Sequence, residues 1–84
     1  MELFVAFNVE TDEDDLKALF SQYGRVMYVT IRENSSKGGY GFIVMPNESE
    51  ANRAITDLNG ALWHGRRLKV NKKRDRRDYE GDED

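Results

Sequence analysis

The spacing of apolar residues changes several times along this chain, and the order of these changes limits the fold more than any other feature. Over residues 2–7 apolar side chains alternate, which is typical of a strand with one face against a core. A segment with helical spacing follows, then two strand-like segments, a second helical segment and a closing strand. We predict strands over residues 2–7, 26–32, 40–45 and 67–71. Residues 33–39, rich in Asn, Ser, Lys and Gly, are predicted to form a loop.

Both helical segments have an apolar stripe and recognisable ends. Thr11 is the predicted N-cap of the first helix, and Gly24 marks its end. Asn47 is the predicted N-cap of the second helix, which residues 59–60, Asn-Gly, close. The stripes, spaced by three and four residues, consist of Leu16, Leu19, Phe20 and Tyr23 in the first helix and Ala51, Ala54, Ile55 and Leu58 in the second.

The resulting order is β-α-β-β-α-β, in a chain of 84 residues that has room for one domain. Short connections and two one-sided helices predict an α+β, ferredoxin-like fold. In this fold a four-stranded antiparallel sheet carries both helices on one face. The residues predicted to face the helices are Leu3, Val5, Phe7, Val29, Ile31, Ile43, Met45, Leu68 and Val70.

The opposite face of the predicted sheet has no cover, yet it carries large aromatic side chains. Phe4, Tyr40 and Phe42 point there, flanked by Arg67 and Lys69. Folding does not explain an exposed aromatic cluster, whereas a binding surface does. Rings interleaved with cations suit single-stranded nucleic acid, because bases stack on the rings and cations pair with phosphates. The alternative is that a C-terminal segment or a dimer partner buries the rings.

Charge is distributed unevenly, although the net charge is only −3. Residues 66–77 contain eight basic side chains and one acidic side chain, and residues 78–84 contain five acidic side chains and no basic one. The basic block predicts a polyanionic partner, and the acidic end predicts some restraint on its binding. The alternative for the end of the chain is a solvated tail that only aids solubility. We therefore divide the chain into a domain at 1–72 and a charged, disordered tail at 73–84.

The sequence also excludes several kinds of site. It contains no cysteine, which excludes disulfides and thiol chemistry and fits the reducing cytoplasm, where we expect this protein. No apolar run approaches the roughly 20 residues that span a bilayer, and we find no signal peptide. We interpret His64 as a surface histidine rather than a metal ligand, and Trp63 as a loop anchor. The glycine-rich residues 38–41 lack the Gly-Lys-Ser/Thr ending of a phosphate-binding loop, which disfavours nucleotide hydrolysis. No set of nucleophile, base and orienting residue is visible either, so we expect no enzyme and no cofactor.

Two short motifs resemble the signatures of one family. Residues 39–44, Gly-Tyr-Gly-Phe-Ile-Val, resemble the octamer signature of the RNA recognition motif. Residues 3–6, Leu-Phe-Val-Ala, resemble the shorter signature on that family's first strand. The resemblance extends over residues 2–72 and is greatest to the small single-motif RNA-binding proteins of bacteria.

The resemblance implies roles for individual residues. Phe4 and Phe42 match positions that each stack a base, and Tyr40 matches a position that packs between sugars. The residue before the signature's first glycine is usually basic and holds a phosphate. Here it is Gly38, and Lys37, one place earlier, is expected to reach the phosphate instead. The last signature position is usually aromatic, and here it is Met45, which we expect to face the core. Asn8, at the end of the first-strand signature, is a further candidate contact.

The sequence thus predicts a monomer that binds single-stranded RNA, with single-stranded DNA as an alternative ligand. It would act as an RNA chaperone or a post-transcriptional regulator, without a membrane or a small-molecule substrate. A protein-interaction module of the same fold is the second hypothesis, which the retained rings disfavour. The predicted RNA-binding residues are Phe4, Lys37, Tyr40, Phe42, Arg67, Lys69, Asn71, Lys72, Lys73 and Arg74.

Overall fold

The computed structural model describes residues 1–73. This part of the chain contains β1 (Glu2–Phe7), α1 (Glu13–Ser21), β2 (Tyr28–Ser35), β3 (Gly38–Val44), α2 (Glu48–Leu58), β4 (Leu62–Trp63), β5 (Arg66–Arg67) and β6 (Lys69–Lys72). Four of these strands form an antiparallel sheet in the order β2-β3-β1-β6, and β4 pairs with β5 in a separate hairpin. The predicted ferredoxin-like α+β fold is confirmed.

The core lies between one face of the sheet and the two helices. Its buried side chains are Leu3, Val5, Phe7, Leu16, Phe20, Ile43, Met45, Ala51, Ala54, Leu58, Leu68 and Val70. Val29 and Ile31 were also predicted to face the helices, and they pack against this cluster but are only partly buried. Both lie on β2, which is an edge strand with a neighbour on one side only. The alternating burial along β1 leaves Glu2, Phe4 and Ala6 on the other face.

The second helix begins as predicted, and the first does not. Asn47 caps α2, since its side chain accepts a hydrogen bond from the backbone N–H three residues later. The N-cap of α1 is Asp12, whose side chain accepts from the backbone N–H two residues later, and the prediction of Thr11 was wrong. Thr11 is instead buried, and its hydroxyl accepts a hydrogen bond from Nε1 of Trp63 at 3.3 Å. Thr11 thus holds the loop anchor Trp63, while the more exposed Asp12 caps the helix.

The predicted loop over residues 33–39 was wrong, because β2 continues to Ser35 and β3 already starts at Gly38. The connection is a two-residue turn, and Gly38 follows it with a φ of +110°, which favours glycine. Gly39 has no room for a side chain, since a Cβ there would overlap the carbonyl oxygen of Glu33 on β2. Polar and glycine residues therefore extend this hairpin, although their composition is typical of a loop.

The closing strand is interrupted. Arg67 pairs with Leu62 in the β4–β5 hairpin, and the sheet strand β6 begins only at Lys69. Between them the backbone N–H of Leu68 donates to the carbonyl of Ala61 at 2.8 Å. This hairpin was not predicted, and it removes Arg67 from the four-stranded sheet.

Candidate nucleic-acid interface

The register of the sheet arranges the side chains of its uncovered surface, here called the open face, in three cross-strand rows. Residues paired directly across antiparallel strands share a face, so the pairing assigns each side chain to one side. The first row, in the order β2, β3, β1 and β6, is Glu33, Tyr40, Ala6 and Lys69. The second row is Thr30, Phe42, Phe4 and Asn71. The third row is Tyr28, Val44 and Glu2, followed by Lys73, whose backbone N–H donates to the Glu2 carbonyl at 2.9 Å.

Three aromatic rings, Phe4, Tyr40 and Phe42, form one cluster at the centre of the open face, here called the ring triad. The ring centre of Phe4 lies 5.9 Å from that of Tyr40 and 5.9 Å from that of Phe42, and the last two are 6.1 Å apart. The rings are tilted or edge-on to one another, the arrangement that aromatic quadrupoles favour. Phe4 and Phe42 are half-buried and Tyr40 is exposed. Each ring therefore has a packed edge and an accessible surface.

Gly41 lies between two rings of the triad in the sequence and on the opposite face of the sheet. It pairs with Val5 and Ile31, both on the core side. A Cβ at Gly41 would lie 2.5 Å from the carbonyl oxygen of Thr30, too close for any side chain. The glycine between the aromatic residues thus allows β2 to approach β3 closely.

One cation already interacts with the ring triad. Nζ of Lys73 lies 4.6 Å from the ring centre of Phe42, within the range of a cation–π interaction. The same Nζ lies 3.2 Å from Oε1 of Glu2, and both side chains are 42% exposed. Lys73 thus bridges an aromatic ring and a carboxylate on the open face.

The β6 edge of the open face carries the other polar groups near the rings. Lys69 is exposed in the row of Tyr40, and Asn71 lies directly opposite Phe4. The side-chain oxygen of Asn71 accepts a hydrogen bond from the backbone N–H of Lys72 at 2.8 Å, which orients its amide group. The open face therefore has aromatic rings at its centre and two ammonium groups, on Lys69 and Lys73, along one edge. This arrangement can stack bases and pair with phosphates.

The decisive comparison is with protein families. Residues 5–69 match the family model of the RNA recognition motif. The chain belongs to the RNA recognition motif family. The two signature segments of this RNA recognition motif lie side by side on β1 and β3, where Phe4 pairs directly with Phe42.

Similar proteins of this family occur in cyanobacteria. The chain is 43% identical to "Putative RNA-binding protein RbpA" of Nostoc sp., over 93% of this chain and 80% of the relative. It is 45% identical to "Putative RNA-binding protein RbpD" of the same organism, over 79% of this chain and 73% of the relative. The predicted resemblance to small bacterial RNA-binding proteins is confirmed.

Solved structures agree with the fold. The crystal structure of RNA Binding Protein PG1 superimposes with a TM-score of 0.78 and 32% identity, covering 90% of this chain and 96% of that one. The Sxl-lethal protein/RNA complex gives a TM-score of 0.78 and 31% identity, covering 88% of this chain and 47% of that one. The similarity thus includes a structure of the same fold in complex with RNA.

The structure of this RNA recognition motif separates the predicted basic residues into groups. Register places Lys72 opposite Leu3, so it lies on the helix side of the sheet and not with the rings. Arg67 lies on β5, where its Nη1 donates to the carbonyl of Gly60 at 2.7 Å, and the prediction that it flanks the rings on the last strand was wrong. Asn8 donates to the backbone carbonyl of Arg67 at 3.0 Å, which gives it a structural contact.

The remaining predicted contacts lie at the ends of the sheet. Lys37 is in the turn between β2 and β3, at the end of the sheet nearest the row of Tyr40, and its backbone N–H donates to the hydroxyl of Ser35. The tail was predicted to start at residue 73, and its residues from Arg74 onward lie outside the described residues. The assignment of RNA contacts to single residues stays a prediction.

One aromatic residue of the open face was missed. Tyr28 is 63% exposed and lies in the third row beside Val44. The signal was in the sequence, because inward-facing Val29 and Ile31 imply that Tyr28 and Thr30 point outward.

Residues around the β4–β5 hairpin serve packing. Trp63 is partly buried against the core and bonded to Thr11, as expected for a loop anchor, and its ring centre lies 4.3 Å from that of His64. Within residues 1–73, no group of three or more His, Cys, Asp or Glu side chains is arranged to hold a metal ion. No helix in the same range is long and apolar enough to cross a membrane.

Proposed function

We propose that this chain binds single-stranded RNA on the open face of its sheet. The observation that carries this proposal is the ring triad, three aromatic rings within 6.1 Å of one another on a face that the helices leave uncovered. Base–aromatic stacking contributes about 1–3 kcal/mol per base and tolerates any base. Phe4 and Phe42 are the proposed stacking platforms, and Tyr40 is the proposed contact to the sugars.

The charges on the open face support a defined path for the phosphates. Lys69 and Lys73 lie on the β6 edge, and Lys37 lies at the end of the sheet nearest Tyr40. Glu2 and Glu33 lie in the rows of the open face and repel phosphates. We therefore place the RNA backbone along the lysine side, with bases directed over the rings.

Lys73 changes partners in this proposal. A base that stacks on the accessible side of Phe42 takes the place of the ammonium, which lies 4.6 Å from that ring centre. The displaced ammonium then pairs with a phosphate, and its ion pair with Glu2 is lost. Because exposed ion pairs contribute only about 0–1 kcal/mol, this exchange is a small barrier to binding.

Relatives support RNA as the ligand. RbpA and RbpD carry the description "Putative RNA-binding protein", and a structure of the same fold is a protein/RNA complex. A function in binding without catalysis is part of the proposal, as is the role of RNA chaperone or post-transcriptional regulator. A cytoplasmic location and a monomeric state complete it, and the cysteine-free sequence supports the former.

The test is a titration of isotope-labelled protein with short random-sequence single-stranded RNA, followed by NMR. We expect the resonances of Phe4, Tyr40 and Phe42 to shift, while those of exposed residues on α2 remain unchanged. Single-stranded DNA and duplex RNA of the same length serve as competitors. A weaker response to DNA would assign the ligand as RNA, and an equal response would broaden it to single-stranded nucleic acid.

The outcome that contradicts the proposal is equally specific. Saturating RNA that leaves the ring triad unshifted would exclude the open face as the binding surface. Shifts confined to the helices would mean that RNA contacts another surface, through electrostatic contacts only. The ring triad would then be left to the protein-interaction alternative.

A further inference from the structure

We propose that Tyr28 is a further base-stacking position, which extends the RNA site from the ring triad onto the edge strand β2. This inference rests on the proposed function and names the residue that sets how many nucleotides the domain holds. Tyr28 is 63% exposed, compared with 36% for Tyr40, the other aromatic residue among the exposed large hydrophobic residues of the described chain. Tyr28 lies outside both signature segments, residues 3–6 and 39–44.

The register places Tyr28 where a strand leaving Phe42 can reach it. Tyr28 pairs with Val44, and Phe42 pairs with Thr30, so Tyr28 and Phe42 are diagonal neighbours on adjacent strands. Diagonal neighbours in a sheet are separated by about 7–8 Å, within reach of large aromatic side chains. One nucleotide of extended backbone can bridge that separation. A base stacked on Phe42 can therefore be followed by a base on Tyr28.

The core does not use the ring of Tyr28, which is absent from the buried cluster and from the residues packed against it. The residues of β2 that serve the core are Val29 and Ile31, on the opposite face. Val44, half-buried beside Tyr28, provides an apolar surface against which a second base edge can rest. The phenolic hydroxyl can donate or accept a hydrogen bond, which a phenylalanine ring cannot.

This position differs in charge from the rest of the site. On the open face, β2 pairs Tyr28 with Val44 and Thr30 with Phe42, and neither side chain is charged; Arg32 lies further along the strand, at the register shift between Ile31 and Glu33. A nucleotide held there is bound by stacking and not by counterion release from its phosphate. Its contribution to affinity is therefore insensitive to salt, unlike that of the lysine edge.

The test compares affinities for oligouridines of increasing length, measured by fluorescence anisotropy. Tyr28→Ala is expected to lower affinity about ten-fold for the longer strands and to leave the shortest strands that bind unaffected. The slope of affinity against salt should equal that of the unmodified protein. Tyr28→Phe, which keeps the ring, should retain most of the affinity.

The matched control is Met27→Ala, which truncates the adjacent side chain, 46% exposed, outside the open-face rows. An equal loss in Met27→Ala and Tyr28→Ala would overturn the inference, because a general change at this strand end would then explain both. So would an unchanged affinity of Tyr28→Ala at every length. Failure of the proposed function itself is recognised separately, since Phe42→Ala would then also bind every strand like the unmodified protein.

Discussion

Glu2 is expected to restrain RNA binding, and Glu2→Gln should therefore bind RNA more tightly. Its carboxylate holds Lys73 in an ion pair and adds a negative charge to the third row of the open face. With Nζ and Oε1 3.2 Å apart, Coulomb's law gives about 1.3 kcal/mol in bulk water. Because both side chains are 42% exposed, side-chain entropy and screening reduce this to about 0–1 kcal/mol. The expected gain in affinity is thus at most about five-fold.

The assay is fluorescence anisotropy with one labelled single-stranded RNA at low and at moderate salt. The gain from Glu2→Gln should be largest at low salt and shrink as ionic screening increases. Glu10→Gln is the control, because it removes the same charge from an exposed loop residue outside the open-face rows. Equal gains in both variants would mean that only net charge matters. Weaker binding by Glu2→Gln would refute the reasoning, since Glu2 would then contact the RNA favourably.

Three further predictions follow from the sheet and the charges. Phe42→Ala should weaken RNA binding about five-fold or more through lost stacking, whereas Ile43→Val, one residue away in the core, should lower the free energy of unfolding by about 0.5–1.5 kcal/mol and leave affinity unchanged. Anisotropy measures the affinity and thermal unfolding measures the stability, and the reverse pattern would mean that the register is shifted by one residue. The logarithm of affinity should fall against that of salt with a slope near −2, at about −0.7 for each of roughly three lysine contacts, and a flat titration would contradict phosphate pairing. Truncation after Arg77 should raise RNA affinity a few-fold at low salt only, because the tethered acidic segment competes with phosphates for the basic side chains. Equal affinities of the full and the truncated chain at low salt would exclude a restraint by the acidic segment.

The ring triad could be predicted from the sequence because its residues alternate with core residues on two strands that pair directly. The same rule applied to residues 69–73 would have divided the basic block, since Val70 points inward and Lys72 follows it on that side. Lys72 was predicted to bind RNA together with Lys69 and Lys73 because the charge is continuous along the chain. In a strand, however, neighbouring side chains point in opposite directions.

Other differences have local causes that composition does not show. The β4 and β5 strands are two residues each, too short for a period to be recognised. The backbones of β1 and β2 come so close to Gly38 and Gly39 that only glycine fits there. The β2–β3 hairpin can therefore extend through residues whose composition is typical of a loop. Thr11 and Asp12 are both good N-cap residues, and the choice between them depends on Trp63, which is distant in sequence.

The mutual packing of the ring triad has a consequence for the thermodynamics of binding. Phe4 and Phe42 are half-buried and packed beside Tyr40, and this packing restricts their rotamers before a ligand arrives. Immobilising a free side chain costs about 0.5–1.5 kcal/mol on association, and these rings avoid most of that cost. The surface is preorganised, whereas a single-stranded RNA is not. The conformational entropy lost when the complex forms is therefore lost mainly by the nucleic acid.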